Sequence, residues 1–288
     1  SQDKQGNILA TVSKTSAKIA NGKDVRINDF IIRMDPEKGE ILQEWDLVNM
    51  LDSARYGMTD YNLTADPYAQ NASNWAHNNG IVEWGNDYLA TARYQGIFKF
   101  NKAGGIEWII SPHGYWRDRY LKLLLNPLHA DGTPITDPDV IAGTKNCDDF
   151  EWPWGCHTAV PLPNGHIFYF NNGYGRNFKL DFTDRKNVYT CGIEYEVDEV
   201  NRTVRQVWQY GKERGTAYFT PARSGVQYLE QTGNRLICPG MSNVLSNGNR
   251  GARVTEVDPE TQEIVFELEL EDAIYQRVYR MSLYPDNQ

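Results

Sequence analysis

Three stretches of this chain superimpose, and each sets a polar, potentially reactive residue a similar distance ahead of the same kind of apolar strand. His77 lies 12 residues before Leu89 in the strand Tyr88 to Arg93, and His157 lies 10 before Ile167 in the strand Ile167 to Phe170. Ser224 lies 12 before Leu236 in the strand Leu236 to Cys238. Each interval carries its own apolar pair: Ile81 and Val82, Val160 and Leu162, Val226 and Tyr228. Such a repeat constrains the fold strongly, because each unit buries its apolar surface only against its neighbours. Polar groups at equivalent positions then converge on one site.

A second repeat runs beside the first: an apolar strand, a polar turn, and another strand often ending in Trp. Its copies are Phe30 to Asp35 with Glu40 to Trp45, and Gly96 to Phe100 with Ile106 to Trp108. Two more are Gly192 to Val197 with Val204 to Trp208, and Arg253 to Val257 with Glu263 to Phe266. Long amphipathic helical patterns are scarce. One pair from each family gives four antiparallel strands per unit, which predicts an all-β chain, a β-propeller of four-stranded blades. Three units look complete, at roughly 71–112, 155–213 and 221–270; a fourth, near 5–49, lacks leading strands. Propellers typically have about four to eight blades. The expectation is therefore one partial propeller domain over 1–288, truncated or processed at its N-terminus, with Tyr275 to Tyr284 completing a blade elsewhere. Inserts at 50–70 and 113–150 would build or cover the binding face.

Charge and hydropathy narrow the partners. A net charge of −9 argues against nucleic acid, which requires a basic face. No apolar run approaches the roughly 20 residues of a membrane span, so no membrane partner is expected. The chain starts at Ser1 without Met, so the lack of a visible signal segment says little about compartment. Glycosylation-type triplets at Asn62, Asn71 and Asn201 are short enough to match by chance.

His77 and His157 begin the predicted innermost strands of consecutive blades, at the mouth of the central channel. Asn79 follows the first by two residues, and Arg93 ends the next strand. Asn172 and Arg176 follow the second, although a turn role is favoured for both. Imidazole, amide and guanidinium groups together suit a tetrahedral oxyanion such as sulfate or phosphate. His113, His129 and His166 read as structural, and Trp45, Trp108 and Trp208 as packing. No Cys or His spacing matches a zinc site, so no metal is expected. No phosphate-cradling loop for a nucleotide donor occurs, and no Gly-x-Ser-x-Gly elbow for a hydrolase. No cofactor is expected.

The segments Asn74 to Asn79, Gly155 to Gly165 and Tyr279 to Tyr284, with the strand ending at Arg93, resemble bacterial arylsulfate sulfotransferases that use no phosphoadenylyl donor. Family members carry a six-bladed propeller and an N-terminal β-sandwich, so the resemblance covers only the C-terminal part of their sequence. It implies a ping-pong reaction between an aryl sulfate donor and a phenolic acceptor. His157, in His-Thr-Ala-x-x-Leu-Pro-Asn-Gly, would attack sulfur and become transiently sulfated. His77 would be the general acid and base, and Asn79 and Arg93 would hold the sulfate oxygens. Ser224 would supply the family's later hydroxyl, on a looser match, and a further family histidine precedes Ser1. Absent blades would come from the same protein or another chain, and a homo-oligomer stays open. The resemblance also implies a disulfide, Cys147 to Cys156, and with it a periplasmic or otherwise extracytoplasmic location. Cys191 and Cys238 are expected to be buried thiols. Trp152, Trp154 and Tyr174 would wall the aromatic ring. The rival readings are a non-catalytic ligand- or protein-binding propeller, and an aryl sulfate hydrolase using the same histidine.

Overall fold

In the computed structural model, which describes residues 1–14, 28–55, 75–180, 182–242 and 251–270, sixteen strands form four sheets, antiparallel throughout except where β8 joins the third. The first holds β1 (Ile8–Lys14), β2 (Asn28–Met34) and β3 (Ile41–Asp46). The second holds β4 (Asn78–Trp84), β5 (Asp87–Ala92), β6 (Gly96–Phe100) and β7 (Ile106–Ile110). In the third, β8 (Asn126–Leu128) joins β9 (His157–Pro161), β10 (Ile167–Asn171), β11 (Cys191–Asp198) and β12 (Thr203–Tyr210) in the order β8-β12-β11-β10-β9. The fourth holds β13 (Ser224–Tyr228), β14 (Arg235–Pro239), β15 (Ala252–Val257) and β16 (Ile264–Leu270) in chain order. The all-β expectation holds. Among the described residues the α-helices are single short turns between sheets.

Strand periodicity explains how the sheets stack. Successive side chains point to opposite faces, so a strand buried on both faces serves two cores at once. In β5 and β6, Tyr88, Ala90, Phe98 and Phe100 join Leu9, Ile31 and Trp45 of the first sheet. Their neighbours Leu89 and Ile97 join Ile167, Tyr169 and Ile193 of the third. β10 alternates likewise: Phe168 and Phe170 turn instead to Val226, Ile237 and Val257 of the fourth sheet. The sheets therefore pack face to face in chain order. Their first strands are neighbours in the same order, β1 against β4, β4 against β9, and β9 against β13. That places the entries of these strands together.

The 113–150 insert covers sheet edges. Through β8 it pairs in parallel with β12, and a bridge from Leu124 reaches Ile109 in β7. Covering an outer strand removes a pairing hazard and links two sheets. The predicted tail strand from Tyr275 to Tyr284, most of the 50–70 insert, Asn62 and Asn71 lie outside the described residues. Asn201 is exposed, its amide donating to Asp198 at 2.7 Å. No described helix is long and apolar enough to cross a membrane.

Ile193 is wholly buried in the core between the second and third sheets. Ile193→Ala is expected to lower stability by about 2–5 kcal/mol, the range for such cavities. Urea denaturation should show a lower midpoint at an unchanged slope.

Candidate functional site

Strand entry is where the backbone is strained. His77 (φ 51°), Thr158 (φ 44°) and Arg223 (φ 59°) are left-handed without being glycine. They sit just before β4, second in β9, and just before β13. Such residues cost on the order of 1–3 kcal/mol each and persist where surroundings over-determine them. At His77 the surroundings are explicit. The buried Asp29 carboxylate of β2 accepts the Asn78 N–H at 2.9 Å and also the His77 N–H. Its other oxygen accepts the Ser13 hydroxyl at 2.6 Å. The His77 carbonyl in turn accepts the Arg93 N–H at 3.0 Å. Burial raises the Asp29 carboxyl above its usual range, and these hydrogen bonds oppose that rise.

His157 opens β9 and pairs with Phe170, with Thr158 bulged out between the rungs. The imidazole is buried, with Nδ1 2.6 Å from the Asn172 Oδ1 and 3.1 Å from the Gly155 carbonyl. The Asn172 amide orientation follows from its nitrogen, which donates to the Thr220 carbonyl at 2.9 Å and the Ser224 hydroxyl at 3.4 Å. Nδ1 thus faces two acceptors and must carry the proton, so the ring's basic lone pair sits on Nε2. Burial first, then the Arg93 charge and the neighbouring His77, hold His157 down at about 3. Burial and Arg93 bring His77 to about 3 as well. Both rings are therefore neutral at physiological pH.

Arg93, leaving β5, spans from the second sheet to the segment leading into the fourth, donating to the Pro221 carbonyl at 2.7 Å. Its guanidinium lies 4.7 Å from the Tyr174 ring centre and 5.7 Å from that of Tyr94. His77 meets Tyr94 edge-on at 5.9 Å. Asn79 donates to the Cys156 carbonyl at 2.9 Å and accepts the Thr91 hydroxyl at 2.7 Å, so it braces the residue before His157. Ser224 is linked to His157 through Asn172, its own hydroxyl donating to the Arg223 carbonyl. His77, Arg93, Asn79, His157, Tyr174 and Ser224 thus belong to one assembly drawn from three sheets.

Two expectations meet a different structure. Cys147 and Cys156 are not bonded; all four cysteines are free thiols. Cys156 is wholly buried with its sulfur toward the Ala92 carbonyl, and burial pushes its thiol up to about 12. Cys147 instead donates to Asp149 at 3.1 Å. The disulfide argument for an oxidising compartment falls with the bond. Trp154 packs edge-on to Phe178 inside the main core, with Trp152 in the same core, leaving Tyr174 as the wall residue beside Arg93. Arg176 is a buried partner of Glu151 and stacks 3.9 Å over Tyr189, so its charge is already matched. That pair braces the 171–176 loop carrying Asn172. Gly173 (φ 67°) belongs to the same brace, since a Cβ there would lie 2.1 Å from the Tyr189 carbonyl.

Sequence reasoning missed Asp29 and undervalued Asn172. An acidic residue opening an otherwise buried strand was the available signal for Asp29. His113 donates to or accepts from nothing in this site; its Nε2 faces the Leu125 carbonyl at 2.9 Å. His166 pairs with Glu194 at 2.6 Å.

The family model described as "Arylsulfotransferase (ASST)" matches residues 1–280. Two proteins named arylsulfate sulfotransferase AssT, from Escherichia coli O6:H1 and Lelliottia amnigena, are each 28% identical. The alignments cover 98% of this chain and 52% of theirs, so the chain spans about half the length of these relatives. Among solved structures, a putative 6-phosphogluconolactonase from Bacteroides uniformis aligns at TM-score 0.39 and 12% identity. That alignment covers 96% of this chain and 72% of the other, a likeness too loose to inform fold or function.

Two predictions follow from the neutral rings and the Asp29 anchor. A histidine held near 3 in the folded state and near 6.5 unfolded makes the unfolded chain bind more protons as pH falls. Stability is then full above about pH 6.5 and declines below it, by up to about 1.4 kcal/mol per pH unit for His157. Thermal melts from pH 7 to about pH 5 should show that decline, and H157N should flatten it; an unchanged slope would contradict a buried neutral ring. Asp29→Ala leaves two strand-entry N–H groups without their acceptor and should cost about 1–3 kcal/mol in urea denaturation.

Proposed function

Because this chain belongs to the arylsulfotransferase family, we propose that it transfers a sulfuryl group from an aryl sulfate to a phenolic acceptor through a sulfated His157. The observation that carries this reading is the fixed tautomer: the Nδ1–H is held by Asn172 and Gly155, which orients the Nε2 lone pair as nucleophile. We read the four sheets as successive blades of a propeller, a reading supported by their face-to-face stacking and adjacent first strands.

In the first half-reaction Nε2 attacks sulfur, an N–S bond forms, and the S–O bond to the aromatic ring breaks. The electron pair leaves on the phenolic oxygen, which takes a proton from His77. In the second half, His77 takes the proton of the incoming phenol, whose oxygen attacks sulfur. The N–S bond then breaks and its pair returns to Nε2. No nucleotide donor enters this scheme. His77, near 3 without substrate, is poorly protonated. An anionic sulfate against Arg93 offsets the guanidinium charge and raises His77 toward a range where it can hold a proton. Arg93 also stabilises charge developing on the equatorial oxygens. Tyr174, stacked on Phe182 and beneath Arg93, is placed to meet the aromatic ring with its edge.

Incubation with an aryl sulfate alone, followed by quenching and peptide mass spectrometry, should place one added sulfuryl group on the peptide containing His157. A phenol should discharge it faster than water does. H157N should abolish the adduct, and H77N should slow both half-reactions by roughly 10²–10⁴, the usual general acid–base contribution. An adduct on another residue, or turnover surviving in H157N, would overturn the proposal. Discharge by water at the same rate as by phenol would make the protein a hydrolase instead.

A further inference from the structure

Sequence spacing gave no hint of a metal site, yet the 113–150 insert folds three unlike ligands together. Among the described residues, one group, His129, Cys147 and Asp149, places a ring nitrogen, a sulfur and a carboxylate oxygen all within 4.8 Å of one another. His129 Nδ1 lies 3.0 Å from Asp149 Oδ1, and the Cys147 sulfur lies 3.1 Å from that same oxygen. Tetrahedral coordination at roughly 2.0–2.3 Å sets ligand atoms about 3.3–3.6 Å apart, so the two separations from Asp149 Oδ1 need to open by only a few tenths of an ångström.

The scaffold around these atoms is already ordered. A tight turn fixes His129, whose N–H donates to the Thr133 carbonyl at 2.8 Å and whose carbonyl accepts from Gly132 at 2.9 Å. Asp149 Oδ2 accepts the Ala130 N–H at 2.9 Å, which turns Oδ1 toward the ring and the thiol. Outer-shell hydrogen bonds of this kind orient carboxylate ligands in metal sites. All three side chains are partly exposed, so an ion can enter and a water can take the fourth position. A cleft of about 530 Å³ opens beside Asp149, with Asp148 and Glu213 adding negative charge to its lining.

We propose that His129, Cys147 and Asp149 bind a borderline-soft divalent cation of the zinc class, with the fourth position open to water. Binding forms a metal–thiolate bond and releases the Cys147 proton to solvent. The His129 proton sits on Nε2 in the bound form, which gives Nδ1 to the metal. Carboxylate, imidazole and thiolate together suit zinc better than calcium or magnesium, which prefer all-oxygen shells. A bound ion would tie the 126–135 turn to the segment that leads through Trp152 and Trp154 into His157. It would thus brace the place where the sequence suggested a disulfide. The inference does not depend on the sulfuryl-transfer reading.

The test uses chelator-treated, tag-free full chain titrated with Zn(II) by calorimetry and with Co(II) by absorption. One ion per chain is expected, with a cobalt spectrum showing a thiolate charge-transfer band and intense tetrahedral visible bands. C147S and H129Q should each weaken Zn(II) binding by more than about tenfold. Cys147 is the one cysteine not fully buried, so Zn(II) should also protect a single thiol from alkylation. Absence of stoichiometric binding, a cobalt spectrum without the sulfur band, or affinity unchanged in C147S would overturn the proposal. The wild-type cobalt spectrum decides the matter even if a variant fails to fold.

Discussion

The hydrogen bond from His157 Nδ1 to the Asn172 side chain organises everything around it. It selects one tautomer, fixes the ring plane, and sets which nitrogen is basic. Its reliability comes from the other end of the amide, held by the Thr220 carbonyl and the Ser224 hydroxyl. The loop bearing Asn172 is fixed in turn by the buried Glu151–Arg176 pair and by the Tyr189 hydroxyl on Glu151. A buried ion pair of this kind is weak evidence for stability but a good device for specifying one arrangement. Here the arrangement it specifies is the direction of a single lone pair.

Neutral rings beside a cation also carry a cost. Burial, and then Arg93, suppress protonation of both imidazoles, which on the proposed reading favours nucleophilic attack but opposes proton donation. On the proposed sulfuryl-transfer reading, an anionic substrate beside Arg93 would offset the guanidinium charge and ease that second effect. The strained entries at His77, Thr158 and Arg223 belong to the same design. Left-handed backbone lets the chain turn into each first strand at the place where three sheets converge, and Asp29 supplies hydrogen bonds that hold one of those turns.

The all-β character was legible because strand alternation and turn chemistry are local signals. So was the candidate pair His77 and His157, since a repeat places both at strand entries and a resemblance names the motif. Register was less legible. By pairing rungs, His157 opposite Phe170 corresponds to Ser224 opposite Pro239, while His77 lies one residue ahead of Asn78 opposite Ala92. Bulges absorb that offset, and bulges leave no mark on hydrophobic spacing. Asn172 read as a turn residue because its partners, Thr220 and Ser224, lie about 50 positions away. Asp29 was invisible for the same reason, its contact with Asn78 crossing 49 positions. The disulfide failed because sequence proximity of two cysteines does not fix side-chain direction: Cys156 turns inward while Cys147 turns to Asp149.

The central claim is that His157 is a neutral Nδ1–H imidazole whose Nε2 is basic. Long-range nitrogen–proton NMR on histidine-labelled protein reads this directly, ring by ring. The account predicts a protonated Nδ1 and an unprotonated Nε2 for His157, unchanged between about pH 5 and 8, where an ordinary histidine would titrate. A His157 proton on Nε2, or a titration near 6.5, would contradict it.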